Sequence, residues 1–150
     1  MKNIFEIKTT EEVINRINQL SSSSNNLWGK MNVSQMLAHC NVTYEMIYTD
    51  KYPKPNSFKR FMMKLFVKKI VVGDKPYPKN GRTAPEFVIT EKREFDIEKS
   101  RLIEYIEKTQ KLGEKHFHNK SSHSFGNLTK NEWNTMFYKH LNHHLSQFGV

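Results

Sequence analysis

Four stretches of this chain repeat apolar residues at the spacing of an α-helix, and this pattern restricts the fold more than any other feature of the sequence. The stretches run from Thr10 to Leu20, from Val33 to Thr49, from Asp96 to Phe117 and from Thr129 to Phe148. No stretch shows the sustained alternation that is typical of a β-strand. The pattern predicts an all-α fold, an antiparallel four-helix bundle that forms one domain over residues 1–150.

Capping residues predict where three of these helices begin. In a capping box, the side chain of the first residue accepts a hydrogen bond from the backbone three residues on, and the Glu or Gln at that position bonds back. The candidate pairs are Thr9 with Glu12, Asn32 with Gln35, and Thr129 with Glu132. We therefore expect the first, second and last helices to start at these pairs.

A shorter segment from Ser57 to Val72 is basic and amphipathic, with lysines between phenylalanines and other apolar residues. Such a helix either lies on a lipid surface or packs its apolar face against protein. We predict that it packs over one end of the bundle. The stretch from Asp74 to Glu86 contains three prolines and predicts an extended loop. Residues 87–89 are expected to form a short β-like piece.

The charge balance is basic, with 24 Lys and Arg against 15 Asp and Glu, a net charge of +9. A basic chain can favour nucleic acids, anionic lipids or acidic ligands. The charge is spread along the chain, and we find no zinc-finger spacing, RNA-binding motif or glycine-rich phosphate loop. We expect no nucleic-acid partner and keep a basic nucleic-acid-binding or lipid-surface-binding module as an alternative function.

The compartment follows from cysteine content and hydropathy. The single Cys40 excludes an internal disulfide, and we expect it to be a buried structural thiol. No apolar run approaches the roughly 18 residues of a membrane helix, so we expect no membrane span. The first residues lack the apolar region of a signal peptide. Together these features predict a cytoplasmic protein.

The last helix contains two histidines, His140 and His144, four residues apart. This spacing places the two rings about 40° apart around the helix axis and about 6 Å apart along it, so both can reach one ion. Both lie on the apolar face, where an imidazole without a partner is costly. Either a shared metal ion or hydrogen bonds to neighbouring groups would satisfy them.

His39 on the second helix is the third candidate ligand, because packing of the second helix against the last would bring it toward the pair. Three histidine ligands with an open fourth position are the pattern of a catalytic metal site. Imidazole suits zinc, nickel and iron. A metal ion bound by these three rings would be zinc or nickel first, with iron as a further option, whereas hydrogen bonds to neighbouring groups are the alternative role of the histidines.

Two long stretches and the proline loop resemble a known superfamily. The segment Trp28–Cys40 reads WGKMNVSQMLAHC, and the tail His123–Gly149 contains HSFGNLT and HLNHHLSQFG. Together with the loop from Pro76 to Phe87, they are similar to a bacterial branch of the DinB/YfiT-like superfamily. The resemblance covers nearly the whole chain from Trp28 onward.

The resemblance implies a four-helix bundle that binds a divalent metal ion through His39, His140 and His144. The superfamily includes thiol-dependent S-transferases, which use low-molecular-weight bacterial thiols, and a maleylpyruvate isomerase, and many relatives form dimers. It therefore implies an S-transferase-like enzyme with a small-molecule substrate, a low-molecular-weight thiol and a homodimeric state. Hydrolysis by a metal-bound water is the alternative reaction at such a site.

Other residues have roles that the sequence leaves open. His143 or His123 could transfer protons, because histidine titrates near neutral pH. Gln147, one turn after His144, either orients a ligand or is a polar residue near the helix end. A non-catalytic bundle that stores or senses a metal is a further alternative.

Overall fold

The computed structural model describes residues 1–150 and is mostly helical. The helices are α1 (Ile7–Asn18), α2 (Val33–Tyr48), α3 (Ser57–Phe66), α4 (Lys68–Val72), α5 (Phe95–Phe117) and α6 (Lys130–Gln147). A 3-10 helix covers Pro85–Phe87, and the strands β1 (Ser121–Ser122) and β2 (Gly126–Asn127) form one antiparallel pair. This architecture is consistent with the predicted all-α class. None of the helices has the length and apolar character needed to cross a membrane.

The core lies among α1, α2, α5 and α6. Helix α5 contacts the other three, and α6 also contacts α1 and α2. The ring of Phe137 on α6 lies at the centre of an aromatic cluster. Its neighbours are Phe5 before α1, Tyr44 on α2, Phe117 on α5 and Trp133 on α6, each with ring centroids 5.3–6.2 Å away. These rings fix α6, which contains two of the candidate ligands, against the rest of the core.

Helix starts follow the predicted capping boxes in two of three cases. Both hydrogen bonds of the box are present at Asn32 with Gln35 and at Thr129 with Glu132, which confirms those predictions. The prediction for α1 is wrong, because α1 begins one turn earlier, at Ile7, and has no side-chain cap. Thr9 and Thr10 lie buried inside the helix, where the Thr10 hydroxyl donates to the carbonyl of Ile4.

Two predicted helices contain interruptions. Helix α5 is broken at Gly113, whose positive φ of 71° is outside the helical range. The segment from Ser57 to Val72 divides into α3 and α4 at Val67. The prediction of a short β-like piece at residues 87–89 is wrong, because Phe87 ends a 3-10 helix and no strand follows it. The proline of Pro85–Phe87 favours a helical first turn, and the Phe87 amide bonds back to the carbonyl of Ala84.

The prediction that the basic segment packs its apolar face over the bundle is wrong for α3. This helix has no buried residue, and Phe58 is 74% exposed. The opposite side of α3 faces the protein, where Met63 packs against the core and Arg60 donates to the hydroxyl of Ser121. The polar contact of Arg60 and the single Met63 hold the helix with its apolar side outward.

Candidate metal centre

Three imidazole rings meet between α2 and α6. His39 comes from α2, and His140 and His144 come from successive turns of α6. One ring nitrogen of each lies within 4.8 Å of the others, and Nε2 of His39 is 2.9 Å from Nε2 of His140. His39 and His144 are buried and His140 is half-buried. The three histidines that spacing and resemblance selected are therefore close enough to bind one metal ion.

The Nδ1 atom of each ring has a partner outside the cluster. The pairs are His39 Nδ1 with the Phe87 carbonyl (2.8 Å), His140 Nδ1 with Thr43 Oγ1 (3.1 Å), and His144 Nδ1 with Gln147 Oε1 (2.9 Å). A carbonyl oxygen only accepts, so His39 and His144 carry their proton on Nδ1 and present an unprotonated Nε2 to the cluster. Histidines that bind metal commonly have this arrangement, which fixes the ring and its tautomer.

The chemistry of these nitrogens fits a cation. The Nε2 of His144 forms no hydrogen bond within the chain, although the residue is only 8% exposed. The Nε2 lone pair of His39 faces His140 across 2.9 Å, where either a proton from His140 or a shared cation must lie. A hydrogen bond satisfies only His39 and His140, whereas a cation satisfies all three rings. The donor set is three neutral imidazoles, which suits a borderline divalent ion.

The environment keeps the three rings neutral. Burial lowers the pKa of His144 to about 3, and the neighbouring His39 ring contributes to the shift. Burial, followed by the charges that His144 and His39 would carry, lowers the pKa of His140 well below its ordinary value. Burial also lowers the pKa of His39, against a smaller opposite effect from its bond to Phe87. The rings are therefore unprotonated at neutral pH, as metal ligands must be.

We expect the metal-free protein to lose stability as the pH falls below about 6.5, the ordinary pKa of histidine. The unfolded chain takes up protons there, whereas the folded chain resists protonation at His144 down to about pH 3. For His144 alone the loss between pH 7.5 and pH 5 is about 2 kcal/mol. Denaturant unfolding at the two pH values measures the change. The free energy of unfolding of His144→Gln should fall less over the same pH interval. An identical pH dependence in this variant and the wild type would contradict the prediction.

Gln147 connects His144 to the loop before α2. The side-chain Nε2 of Gln147 donates to the Trp28 carbonyl at 2.7 Å, and the backbone carbonyl of Gln147 accepts from the backbone N–H of Leu27 at 2.8 Å. Gly29 lies against the same amide, and a Cβ at this position would be 2.3 Å from Gln147 Nε2. The bond to Trp28 turns the amide so that Oε1 faces His144, which favours the orienting role for Gln147.

Gly29→Ala should therefore weaken metal binding by roughly 10–100-fold, the usual cost of a lost partner to a ligand histidine. The added methyl group displaces the Gln147 amide. Gly126→Ala is the matched control, because Gly126 has a similar positive φ but no atom within 4 Å of the added Cβ. A chelator-competition titration measures the affinities, and Gln147→Leu should reproduce the loss. Equal losses in the two glycine variants would show that backbone strain alone is responsible.

His143 is the candidate proton-transfer residue that lies beside the cluster. Its half-buried ring has its centroid 5.0 Å from that of His144, 6.0 Å from that of Trp28 and 5.6 Å from that of Tyr77. Burial lowers the pKa of His143, which leaves the ring neutral and able to accept a proton at neutral pH.

His123, the other candidate, has different neighbours. Its Nδ1 is 2.9 Å from the hydroxyl of Ser124, and its Nε2 donates to the Tyr52 carbonyl at 3.3 Å. The ring forms no hydrogen bond with any of the three clustered histidines. The structure thus brings His143, and not His123, against the cluster.

Sequence reasoning missed two groups that hold the rings. Thr43 lies four residues after His39 on α2, and this helical spacing could have identified it as a neighbour. Phe87 contributes a backbone carbonyl from the proline loop, and no sequence signal marks such an acceptor. Its ring also lies against that of His39, with centroids 5.3 Å apart.

The start of the proline loop is held by Lys139, the residue before His140. The Lys139 ammonium is buried and donates to three backbone carbonyls, those of Ile70, Gly73 and Lys75. Its Nζ also lies 4.5 Å from the centre of the Tyr77 ring. Lys139 thereby holds α4 and Tyr77 beside the histidine cluster.

The fold and the cluster together define a mostly helical protein with a three-histidine site that can hold a metal ion. Residues 2–149 match the family described as "Protein of unknown function (DUF1569)", and the chain belongs to this family. No curated protein and no solved structure matches the chain.

Proposed function

We propose that this protein is a divalent-metal-dependent, thiol-dependent S-transferase-like enzyme of the DinB/YfiT-like superfamily. One observation carries the proposal. The ring nitrogens of His39, His140 and His144 converge within 4.8 Å while each Nδ1 is bonded to a group outside the cluster. This combination of convergence and orientation is typical of histidines that bind metal. Membership of the superfamily rests on the motifs from Trp28 to Cys40 and from His123 to Gly149.

The proposed architecture is an antiparallel four-helix bundle of α1, α2, α5 and α6 in a single domain. The mutual contacts of these helices around one apolar core support it. In such bundles, metal sites are built from side chains on facing helices. His39 on α2 and the His140 and His144 pair on α6 correspond to that plan.

A divalent ion with an open coordination position lowers the pKa of a bound thiol or water. We propose zinc or nickel first, and iron as a further option, because neutral imidazoles suit all three. His39, His140 and His144 would hold the ion through Nε2. Phe87 and Gln147 accept the Nδ1 protons of His39 and His144 and so keep both rings turned inward.

His143 is the proposed proton acceptor for the incoming thiol. Its half-buried ring lies next to His144, and its neutral state at pH 7 leaves a ring nitrogen free to take the proton. The aromatic rings of Trp28 and Tyr77 on its other sides limit the access of water. His123 stays a prediction from the sequence, and so does the homodimer.

Metal-loaded protein should catalyse transfer of the dinitrophenyl group of 1-chloro-2,4-dinitrobenzene to a low-molecular-weight thiol, in which a C–S bond forms, chloride leaves and the thiol proton passes to His143. Turnover should require both metal and thiol, disappear in His140→Ala and fall in His143→Gln. His118→Ala, at an exposed histidine outside the cluster, is the matched control and should keep full activity. Thiol-independent turnover would instead favour hydrolysis. Tight metal binding without turnover across a panel of thiols and electrophiles would favour the non-catalytic metal-binding bundle.

A further inference from the structure

The outer face of α3 and α4 exposes large apolar side chains. We call them the apolar patch: Phe58 (74% exposed), Phe61 (56%), Leu65 (56%), Phe66 (64%) and Ile70 (58%). The spacing of Phe58, Phe61 and Leu65 places them on one side of α3. Neighbouring exposed apolar side chains of this kind mark a contact surface for a protein or a membrane. The patch is outside the histidine cluster and has no role in the proposed reaction.

The charges around the apolar patch have one sign. Helices α3 and α4 contain five basic residues and no acidic residue: Lys59, Arg60, Lys64, Lys68 and Lys69. Within the chain, Lys59 pairs with Glu86 and Lys68 pairs with Glu132. The exposed ammonium groups of Lys64 and Lys69 form no ion pair. An apolar surface with unneutralised cations at its border is complementary to an anionic surface that also offers apolar contact.

We propose that the apolar patch docks this protein on the surface of an anionic lipid bilayer. The aromatic and aliphatic side chains enter the boundary between headgroups and acyl chains, as in amphipathic helices that lie in the membrane plane. Lys64 and Lys69 extend their ammonium groups to lipid phosphates. The net charge of +9 adds long-range attraction to the same surface.

A second copy of the chain fits the apolar patch less well. Face-to-face packing of two patches would bring the unpaired Lys64 and Lys69 of both copies together, and neither helix has an acidic residue to neutralise them. If the patch instead contacted a different surface of a second copy, each copy would leave one such surface free, and further copies could add to form an open assembly. Charge complementarity therefore favours the anionic membrane.

Sedimentation with lipid vesicles tests the proposal. The protein should bind phosphatidylcholine vesicles that contain phosphatidylglycerol, bind pure phosphatidylcholine vesicles weakly, and dissociate as salt is raised. The double variant Phe61→Ser with Leu65→Ser should lose binding at unchanged net charge. Both side chains are exposed, so the fold should be retained, and circular dichroism checks this. The measurement does not involve the histidines and can fail or succeed independently of the proposed activity.

A second pair of variants separates charge at the patch from net charge. Lys64→Gln with Lys69→Gln should weaken binding about 25-fold, because each lysine near an anionic surface contributes about fivefold. Lys111→Gln with Lys115→Gln removes the same charge from exposed positions on α5 and should have a smaller effect. Equal losses in the two pairs, or full binding by the Phe61 and Leu65 variant, would overturn the proposal. If the wild type forms a dimer and binds no vesicles, and the Phe61 and Leu65 variant is a monomer, the patch instead binds a second copy of the chain.

Discussion

Replacing His140 with alanine is expected to abolish tight binding of a divalent metal ion. Nε2 of His140 lies 2.9 Å from Nε2 of His39, and the His140 ring contacts the His144 ring, so the substitution removes one of the three converging ligand nitrogens. We expect a fall in affinity well beyond the roughly 10–100-fold that the loss of an outer hydrogen-bond partner causes. Metal analysis after dialysis, together with chelator competition, measures the change.

The control for His140→Ala is His118→Ala, because His118 is exposed and outside the cluster. This variant should retain one ion for each chain. Added metal should also raise the melting temperature of the wild type and of His118→Ala, because a ligand that binds only the folded state stabilises it. Equal metal content in folded His140→Ala and wild type would remove the three-histidine site from the account.

Replacing Phe137 with alanine should destabilise the protein by about 3–5 kcal/mol, the usual cost of removing a buried phenylalanine ring. Phe137 is 1% exposed, and its ring contacts aromatic rings from α2, α5, α6 and the segment before α1. The cavity would lie where α6 meets the rest of the core. Urea unfolding of the metal-free variants measures the loss without a contribution from metal binding.

Two further phenylalanine variants control this measurement. Phe137→Leu keeps much of the volume and should cost less than the alanine variant. Phe58→Ala removes an equal ring from an exposed position and should change stability by no more than about 0.5 kcal/mol. A loss in Phe58→Ala as large as that in Phe137→Ala would contradict the packing described for α3 and α6.

The features that sequence analysis predicted correctly depend on short-range patterns. The boxes at Asn32 with Gln35 and at Thr129 with Glu132 are set within one helical turn, and they mark the starts of α2 and α6 correctly. The four-residue spacing of His140 and His144 places both rings on one face for the same reason. The approach of His39 required the packing of α2 against α6, which the two apolar stripes and the resemblance indicated.

The missed features depend on contacts between distant parts of the chain. The acceptor for His39 is the backbone carbonyl of Phe87, 48 residues away, which any residue type could supply. The close approach of Gly29 to Gln147 joins positions that are far apart in sequence, and a glycine alone does not reveal its neighbour. In α3 the apolar periodicity gave the helix correctly, but periodicity cannot tell whether an apolar face meets protein or remains exposed.

A crystal structure of the metal-loaded protein, with anomalous scattering recorded across the metal absorption edge, tests the central claim most directly. The account predicts one anomalous peak between α2 and α6, about 2.0–2.1 Å from the Nε2 atoms of His39, His140 and His144. It also predicts an open coordination position at that ion. A peak bound by fewer than three of these rings, or three rings hydrogen-bonded to protein groups in a crystal grown with excess metal, would contradict it.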